Sequence, residues 1–421
     1  MSVIVVGAGI AGVLAADALQ RAGYDVTVIE ALDGPAQGAS FANGGQIAVS
    51  ESAPWSKPGI AWQSIRDLGK PDAPFQWKFR LSWSQWRWLY EFWRNASGKR
   101  HRAGARRNLE LARYSQSCLQ ATRARMGNDF SYEDRQQGIL QLLPGENDKN
   151  YVDPSKIYTA LEPDINANAD ITWLDADALA EKEPALARAI NNKMISGAIW
   201  GMQDETGNAA LFIRQLVDDL VRRGVTFCFS ERVKRLEAGY VQTDLTEYQP
   251  DKVVVTAGIG SSDILRAFNL RLPILPVKGY SLSLDILDEA RIPNASLTDL
   301  SCRLVISRLG KVLRVAGFAE IGAGSEIDPA RVTAIATRMN ALFPGALDMD
   351  NPNPWVGFRP MTPDGAPIIG KLCDGVYIHS GHGPLGWTLS HGTSQALADL
   401  ICGKEPQIDM LPFSPFRSYV A

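Results

Sequence analysis

Cysteine and histidine are scarce in this sequence, and their spacing does not suit a metal centre or a disulfide framework. The 421 residues include five cysteines, none in a CxxC pair, and four histidines. His379 and His382 lie three residues apart, but no cysteine or carboxylate accompanies them at ligand spacing. We therefore expect no metal site, and the scattered cysteines favour a reducing, cytoplasmic location.

Long apolar runs and a strong net charge are also absent. No segment reaches the roughly 20 apolar residues that span a bilayer, so the sequence predicts no transmembrane helix. The apolar start of the chain lacks the basic residues that open a signal peptide. The formal charge of −3 gives no general affinity for nucleic acid, and we expect no nucleic-acid partner.

The first 30 residues carry the pattern of a dinucleotide-binding unit. A β-branched run, Ser2–Val6, predicts a buried strand, and a second strand is predicted over Tyr24–Ile29. Between them, glycines allow a tight turn, close approach of a pyrophosphate and close packing of a helix, while Glu30 is spaced to bind a ribose. The residues predicted to contact the cofactor here are Gly7, Ala8, Gly9, Ile10, Ala11, Gly12, Glu30 and Ala31.

The nucleotide-binding pattern breaks off and returns late in the chain. A small-residue loop at 38–47 and a long irregular section follow the first unit. A helix is then predicted over Asn208–Arg223, strands over Val225–Phe229 and Lys252–Thr256, and a second glycine-rich junction between a strand and a helix at 376–401. A dinucleotide held by both ends of the chain favours FAD over NAD.

These patterns predict an α/β (overall α+β) protein. We expect a Rossmann-type FAD-binding domain interleaved with a substrate domain built on an antiparallel or mixed sheet. The FAD-binding domain is predicted to comprise residues 1–50, 201–272 and 356–421, and the substrate domain residues 51–200 and 273–355.

Several segments resemble the D-amino-acid oxidase-like family of FAD-dependent oxidoreductases, and within it the branch of bacterial D-amino acid dehydrogenases. The resemblance extends over essentially the whole chain and is carried by Val3–Gly12, Ser40–Ile47, Pro276–Ser283, Gly357–Gly370 and Ser380–Thr388. It implies further cofactor contacts at Ser40, Asn43, Gly44, Gly45, Gln46, Ile47, Val233, Thr256, Ala257, Gly258, Gly383, Pro384, Leu385, Gly386 and Trp387. Pro384 stands where the family often has threonine, and it removes one backbone donor.

The resemblance also implies a substrate site. Arg359, in the family's GxRP pattern, is expected to clamp the substrate carboxylate, because a guanidinium fork matches a carboxylate. The alternative is that Arg359 only ties down its loop by pairing with Asp364. Tyr280, Lys278 and His382 are further candidates, each with a structural alternative, and no catalytic base is expected.

The implied reaction is the oxidative deamination of a small amino acid, with the D-series favoured. A hydride passes from Cα to N5 of the flavin, water converts the imino acid to a 2-oxo acid, and electrons pass to a quinone or another acceptor that is not oxygen. A dehydrogenase of proline or hydroxyproline, and a glycine or sarcosine oxidase, are alternatives within this class. A non-catalytic subunit that relays electrons is the alternative outside it.

Residues 77–125 form a tryptophan-rich and basic insertion. Seven of eleven tryptophans fall between Trp55 and Trp93, and residues 66–125 contain fourteen lysines and arginines against four acids. One interpretation is a helix whose stripe of Trp83, Trp86, Tyr90 and Trp93 packs on the core. The other is contact with a membrane surface or a partner subunit, which would place the protein peripherally on the inner face of the cell membrane.

Overall fold

The computed structural model describes residues 1–60, 73–78, 82–148, 151–153, 156, 170–268 and 270–417. The strands are β1 Ser2–Val6, β2 Asp25–Ile29, β3 Gln46–Ile47, β4 Phe75–Trp77, β5 Ile139–Pro144, β6 Ile171–Leu174, β7 Ile195–Gly201, β8 Glu205–Thr206, β9 Thr226–Cys228, β10 Val233–Glu237, β11 Tyr240–Thr243, β12 Glu247–Tyr248, β13 Lys252–Val255, β14 Leu275–Asp285, β15 Ser296–Asp299, β16 Leu304–Leu309, β17 Val312–Ile321, β18 Asn353–Met361, β19 Ile368–Cys373 and β20 Val376–Ser380. The helices are α1 Ile10–Arg21, α2 Trp83–Asn95, α3 Gly98–Met126, α4 Ala176–Lys182, α5 Ala187–Asn191, α6 Ala209–Arg222, α7 Ser261–Ile264, α8 Pro329–Leu342 and α9 Gly386–Ile401.

The nucleotide-binding half is built on a six-stranded sheet in the order β19-β20-β13-β1-β2-β9. Five of its strands, β20 to β9, are parallel, and β19 runs antiparallel at one edge. Because strands buried on both faces read as continuous apolar runs, β1 and β13 carry almost no polar residue. One core cluster joins this sheet to α1, α6 and α9. The predicted α/β class and Rossmann-type unit are confirmed.

The second sheet is mixed and has nine strands. Its order is β18-β14-β17-β16-β15-β5-β7-β6, with β4 paired beside β17. Most pairs are antiparallel, and β15 with β5 and β17 with β4 are parallel. One face packs against α8 through Ile335 and Met339. The face of the sheet opposite α8 lines a cavity.

Most predicted elements of the first sheet are found within a few residues of their predicted ends. The predicted helix Asn208–Arg223 is α6, and the Asn208 side chain accepts a hydrogen bond from the backbone nitrogen of Leu211 as an N-cap. Strand β18 belongs to the nine-stranded sheet and crosses the predicted domain boundary at 355/356. The domain division itself stays a prediction. Among the described residues, none of the helices combines the length and apolar character needed to span a bilayer.

Candidate active site

A cavity of about 1560 Å³ lies where the two sheets meet. It is larger than the roughly 300–1,000 Å³ of most small-molecule pockets, so it has room for a dinucleotide together with a small substrate. The first sheet contributes the turns after β1, β2, β13 and β20, and the second contributes β18, β14, β17, β16 and β15. The carboxyl ends of parallel strands are the usual binding edge of such a sheet.

The turn between β1 and α1 has the geometry of a pyrophosphate site. Gly7 adopts φ +112°, which favours glycine. A Cβ added to Gly12 would overlap the carbonyl oxygen of Gly7 and crowd the Thr256 hydroxyl, so only glycine lets α1 pack this closely. Gly9 lines the cavity, and α1 begins there with no side-chain cap. The backbone donors and partial positive charge of the helix start therefore face the cavity.

Glu30 directly follows β2 and lines the same cavity. Its carboxylate accepts hydrogen bonds from the backbone nitrogens of Ala8, at 2.7 Å, and Leu32, at 3.0 Å. These bonds fix the direction of the side chain and leave acceptor capacity for ribose hydroxyls. A carboxylate at this position also disfavours a 2′-phosphate.

Most predicted cofactor residues line this cavity. They are Gly7, Gly9, Ile10, Ala11, Glu30, Ala31, Ser40, Asn43, Gly44, Gly45, Gln46, Val233, Thr256, Ala257, Gly258, Gly383, Pro384, Leu385, Gly386 and Trp387. Ala8, Gly12 and Ile47 do not line it, because their side-chain positions pack into the protein behind the turn or the loop. Their part is to support the residues that do.

The loop at 38–47 is pinned to both halves of the molecule. The Ser40 hydroxyl accepts a hydrogen bond from the backbone nitrogen of Ile10 at 3.2 Å. On the other side, the Ser307 hydroxyl donates to the carbonyl oxygen of Gly44 at 2.6 Å. A Cβ on Gly44 would crowd Val305, so the backbone of the loop lies directly against the second sheet.

Arg359 projects from β18 into the cavity. Its Nη1 donates to the carbonyl oxygen of Phe318 at 2.9 Å, and the guanidinium lies 5.6 Å from the centre of the Trp55 ring. Burial lowers the pKa of Arg359 to about 10, which still leaves it protonated at neutral pH. No acidic side chain of the described residues lies within ion-pair distance of it. Asp364, the alternative partner, pairs instead with Arg107 and Arg417.

Lys278 does not reach the cavity, contrary to the prediction. Side chains alternate along β14, and Gly279 faces Arg359 while Lys278 faces the opposite side of the sheet. The Lys278 ammonium donates to the carbonyl oxygen of Glu326 and lies 3.8 Å from Glu320.

Tyr280 borders the cavity, but its hydroxyl serves another purpose. It donates to Glu320 at 3.2 Å on the face that packs against α8, where Arg331 also binds Glu320. Burial raises the pKa of Tyr280 to about 12. In this arrangement the hydroxyl does not face a substrate carboxylate in the cavity, and a role of Tyr280 in covering the pocket stays a prediction.

His382 lies at the wall of the cavity and is held by the protein. Its Nε2 lies 3.1 Å from the Thr393 hydroxyl, which also contacts Nε2 of His379 at 2.7 Å. Burial lowers the pKa of His382 to about 3, so the ring is neutral at physiological pH. The histidine positions the turn before α9, whose start, like that of α1, has no side-chain cap and faces the cavity.

Several cavity residues carry no motif and were missed by sequence reasoning. The charged ones include Glu51, Lys57, Arg102 and Arg303, and the aromatic ones include Trp55 and Trp355. They come from loops and strands far apart in sequence. The sequence offers one indication of their role: Glu51 and Trp55 follow shortly after the loop at 38–47, which resembles a family motif.

The lining fits FAD. Two helix starts offer backbone donors at separate places along the cavity, and a carboxylate stands where a ribose is held. Gly44 and Gly45 line the cavity, and the absence of a Cβ lets their backbone lie against Val305 and Leu309 of the second sheet. Val233, at the start of β10, lines the same cavity as Glu30 and Ala31.

Comparisons with known proteins agree with this geometry. The chain is 36% identical over 416 residues to a D-amino acid dehydrogenase of Rhizobium johnstonii, covering 97% of this chain and 98% of that protein. It is 35% identical over 418 residues to the protein of that name from Vibrio vulnificus, covering 97% of each.

Among solved structures, glycine oxidase from Geobacillus kaustophilus superposes with a TM-score of 0.75 at 19% identity, over 99% of this chain and 98% of that one. L-proline dehydrogenase from P. horikoshii gives 0.73 at 16% identity, over 99% and 97%. At these identities the likeness establishes the fold. A family model described as FAD dependent oxidoreductase matches residues 2–400. The chain therefore belongs to the DAO family of FAD-dependent oxidoreductases, and its cofactor is FAD.

Proposed function

We propose that this enzyme oxidises the Cα–N bond of free D-amino acids. The observation that carries the proposal is Arg359, a protonated guanidinium that faces the cavity without an acidic partner. An enclosed cation of this kind is costly unless an anion joins it, and the α-carboxylate of a substrate supplies one with matching geometry. The relatives named D-amino acid dehydrogenase support the D-series.

The protein's part in the reaction is to hold the substrate. Bound FAD supplies the two-electron oxidation by accepting a hydride from Cα. Arg359 binds the carboxylate, and the hydrogen bond from Arg359 to the Phe318 carbonyl fixes the position of the guanidinium. The bulge that turns the Phe318 carbonyl toward it, where Phe318 adopts φ +56°, is thus part of the site. The imino acid leaves, and water converts it to a 2-oxo acid and ammonia.

No side chain is assigned as an essential base. His382 is neutral and engaged with Thr393, and the Lys278 ammonium lies on the other face of the sheet. A substrate amine that binds in its neutral form needs no proton acceptor. We expect kcat/KM to rise with pH as the free substrate amine loses its proton.

Anaerobic reduction of the bound flavin tests the proposal. The purified enzyme would be mixed without oxygen with D- and L-amino acids, D-proline, 4-hydroxyproline, glycine and sarcosine, and the visible spectrum followed. We expect bleaching by D-amino acids, and turnover with a quinone or dye acceptor faster than with oxygen. Bleaching only by cyclic substrates, or only by glycine and sarcosine, would replace the proposed substrate class. No bleaching by any of them would indicate an electron-relay subunit.

The proposal that electrons pass to a membrane quinone rests on an exposed aromatic face of α2. The predicted core stripe is wrong: Trp83, Trp86, Tyr90 and Trp93 are 79%, 44%, 63% and 45% exposed. The buried face of α2 consists of Gln85, Trp88, Leu89, Glu91 and Phe92. Aromatic side chains on a basic segment are typical of a surface that lies on anionic lipid. We infer that α2 and α3 meet the membrane, where a quinone is available. Residues 79–81 of the predicted segment lie outside the described residues.

Vesicle sedimentation checks this inference. We expect the enzyme to pellet with vesicles containing anionic phospholipid at low salt and to be released at high salt, because basic residues contribute about 1 kcal/mol each near such a surface. The double variant Trp83→Ser/Tyr90→Ser should bind at least tenfold more weakly.

The matched control replaces two apolar residues that are equally exposed elsewhere. Leu245 and Leu287 are 71% and 67% exposed, so Leu245→Ser/Leu287→Ser should bind like the wild type. Wild-type protein that stays in the supernatant at low salt would overturn the membrane assignment. Altered oligomeric state in the Trp83→Ser/Tyr90→Ser variant would favour a partner subunit instead.

A further inference from the structure

Glu51 is a carboxyl group in the cavity that the reaction outlined above does not use. Its Oε1 accepts a hydrogen bond from the Thr298 hydroxyl at 2.8 Å. The structure gives Oε2 no hydrogen-bond partner among the described residues. Glu51 is only half-buried because its free side faces the cavity. One oxygen therefore remains available to a bound molecule.

A chain of hydrogen bonds fixes the position of this carboxyl. Thr298 also contacts the Gln46 amide, at 3.2 Å, and Gln46 donates to Ser296 at 2.9 Å. Ser296 lies 2.8 Å from the Ser307 hydroxyl, which holds the loop at 38–47. Glu51 is thus tied through β15 and β16 to the loop that lies against the cofactor. Such a connected network restricts where the free oxygen can point.

Between Arg359 and Glu51, the second sheet lines the cavity with small side chains. Gly279, Ala316 and Val305, on three successive strands, are among the residues that line it, and Gly44 of the loop at 38–47 lies against Val305 and Ala316. A Cβ on Gly279 would overlap the guanidinium, so this strand has no space for a larger side chain. Thr298 lies on β15, two strands beyond β17. The Phe318 carbonyl on β17 accepts the hydrogen bond from the Arg359 guanidinium. At about 4.8 Å per strand, the two ends of this trough are roughly 10 Å apart.

We propose that Glu51 is a specificity-determining residue, and that it selects amino acids whose side chain is several bonds long and ends in a hydrogen-bond donor. This inference rests on the amino-acid oxidation proposed above, because Arg359 must hold the α-carboxylate for the side chain to run along the trough. The free Oε2 of Glu51 accepts the hydrogen bond at the far end. An aliphatic side chain of equal length leaves that oxygen desolvated and unpaired, which is unfavourable.

The charge of Glu51 makes this selection depend on pH. Burial raises the pKa of Glu51 to about 7, and the charge of Asp204 adds to that, while the hydrogen bond from Thr298 and the charge of Arg303 oppose it. Lys57 also lines the cavity, and burial and the charge of Arg303 lower its pKa to about 8. As pH rises through about 7, Glu51 ionises, and the preference for a cationic side chain over a neutral one should increase.

Paired substrates of similar length provide the test. The kcat/KM ratios of D-lysine to D-norleucine and of D-glutamine to D-methionine would be measured for wild type, Glu51→Gln and Glu51→Leu, with an artificial dye as acceptor. In Glu51→Leu we expect both ratios to fall by roughly 10- to 100-fold, the range for a hydrogen bond to a charged group. In Glu51→Gln the lysine ratio should fall and lose its dependence on pH. The glutamine ratio should change little if the amide nitrogen donates to the Thr298 hydroxyl, which can turn its own proton to Gln46, because the amide oxygen then faces the cavity and still accepts.

The outcomes separate this inference from the proposed function. Suppose that the wild type oxidises D-amino acids and that both kcat/KM ratios are the same in the wild type and the two variants. This result would refute the role of Glu51 and leave the proposed function intact. Wild-type flavin that no amino acid reduces would refute the proposed function. FAD content and thermal unfolding of each variant show whether it is folded, and Glu51→Gln, which keeps the shape of the side chain and its contact with Thr298, carries the test if Glu51→Leu is unstable.

Discussion

Replacing Arg359 with alanine should lower kcat/KM for a D-amino acid by roughly 30- to 5,000-fold. This corresponds to about 2–5 kcal/mol, the usual cost of truncating one partner of a buried, hydrogen-bonded charge pair. The effect is large because the guanidinium is enclosed and held by the Phe318 carbonyl, so its removal leaves a bound carboxylate without its donor. Stopped-flow reduction of the bound flavin separates weaker substrate binding from slower hydride transfer.

Two further variants test whether the effect comes from the carboxylate contact. Arg359→Lys should recover only part of the loss, because an ammonium lacks the planar fork. Gly279→Ala adds a methyl group that overlaps the guanidinium, so it should raise KM while FAD stays bound. The matched control is Arg222→Ala, on the exposed face of α6, whose kinetics should equal those of the wild type.

The substrate itself offers an independent check. The amide of the same amino acid has no carboxylate, so the wild type should oxidise it poorly and Arg359→Ala should reduce its rate little further. An Arg359→Ala enzyme that keeps its FAD and an unchanged kcat/KM for the amino acid would eliminate the clamp.

The nucleotide half of the fold was predictable because its signals are local. A strand, three glycines, a helix and an acid follow one another within 30 residues, and each position has one mechanical role. The structure brings Gly7, Gly9 and Glu30 to the cavity as those roles require. The second glycine-rich junction, before α9, was found by the same reasoning.

The substrate half was predictable only where the resemblance supplied a motif. The motif identifies Arg359, whereas the candidate Lys278 lies on the face of the sheet opposite the cavity. Strand alternation decides the face of each residue, and the bulge opposite Gly279 alters the pairing in a way that no local pattern reveals. Glu51 has no motif at all and reaches the site through tertiary packing.

Helix α2 shows that a periodic apolar pattern does not by itself identify the buried face of a helix. In α2, one stripe contains Trp83, Trp86, Tyr90 and Trp93, and the neighbouring stripe contains Trp88, Leu89 and Phe92. Both stripes are apolar with helical spacing, so the sequence indicates a helix but not which stripe is buried. The answer depends on contacts of the second stripe with β14 and β17, which are more than 180 residues away in sequence.

The largest effect on cofactor binding is expected at the turn after β1, and two glycines there should fail for different reasons. In Gly12→Ala, the new Cβ overlaps the Gly7 carbonyl oxygen and crowds Thr256, so α1 must move away from β1. Overpacking of this kind costs about 1–3 kcal/mol. We expect both a lower free energy of unfolding for the apoprotein and loss of FAD.

Gly9→Ala should lose FAD without losing stability. The nearest atom to a Cβ at this position is the Ser40 hydroxyl oxygen at 3.6 Å, an ordinary contact, so the apoprotein has room for it. The same methyl group projects from the cavity wall at the start of α1, where the backbone must approach the pyrophosphate. We expect the free energy of unfolding of the apoprotein to stay within about 0.5 kcal/mol of wild type, while the Kd for FAD rises by about 100-fold or more, a loss of roughly 3 kcal/mol.

Gly23→Ala is the control for the glycine substitution itself. Gly23 has φ +88° and no atom within 4 Å of its Cβ position, so alanine there should cost about 1 kcal/mol of stability and leave the Kd for FAD unchanged. Fluorescence titration of apoprotein with FAD and denaturant unfolding measure the two quantities separately. If Gly9→Ala bound FAD as tightly as wild type, the pyrophosphate would have to lie away from the first turn of α1, and the assignment of that turn would be wrong.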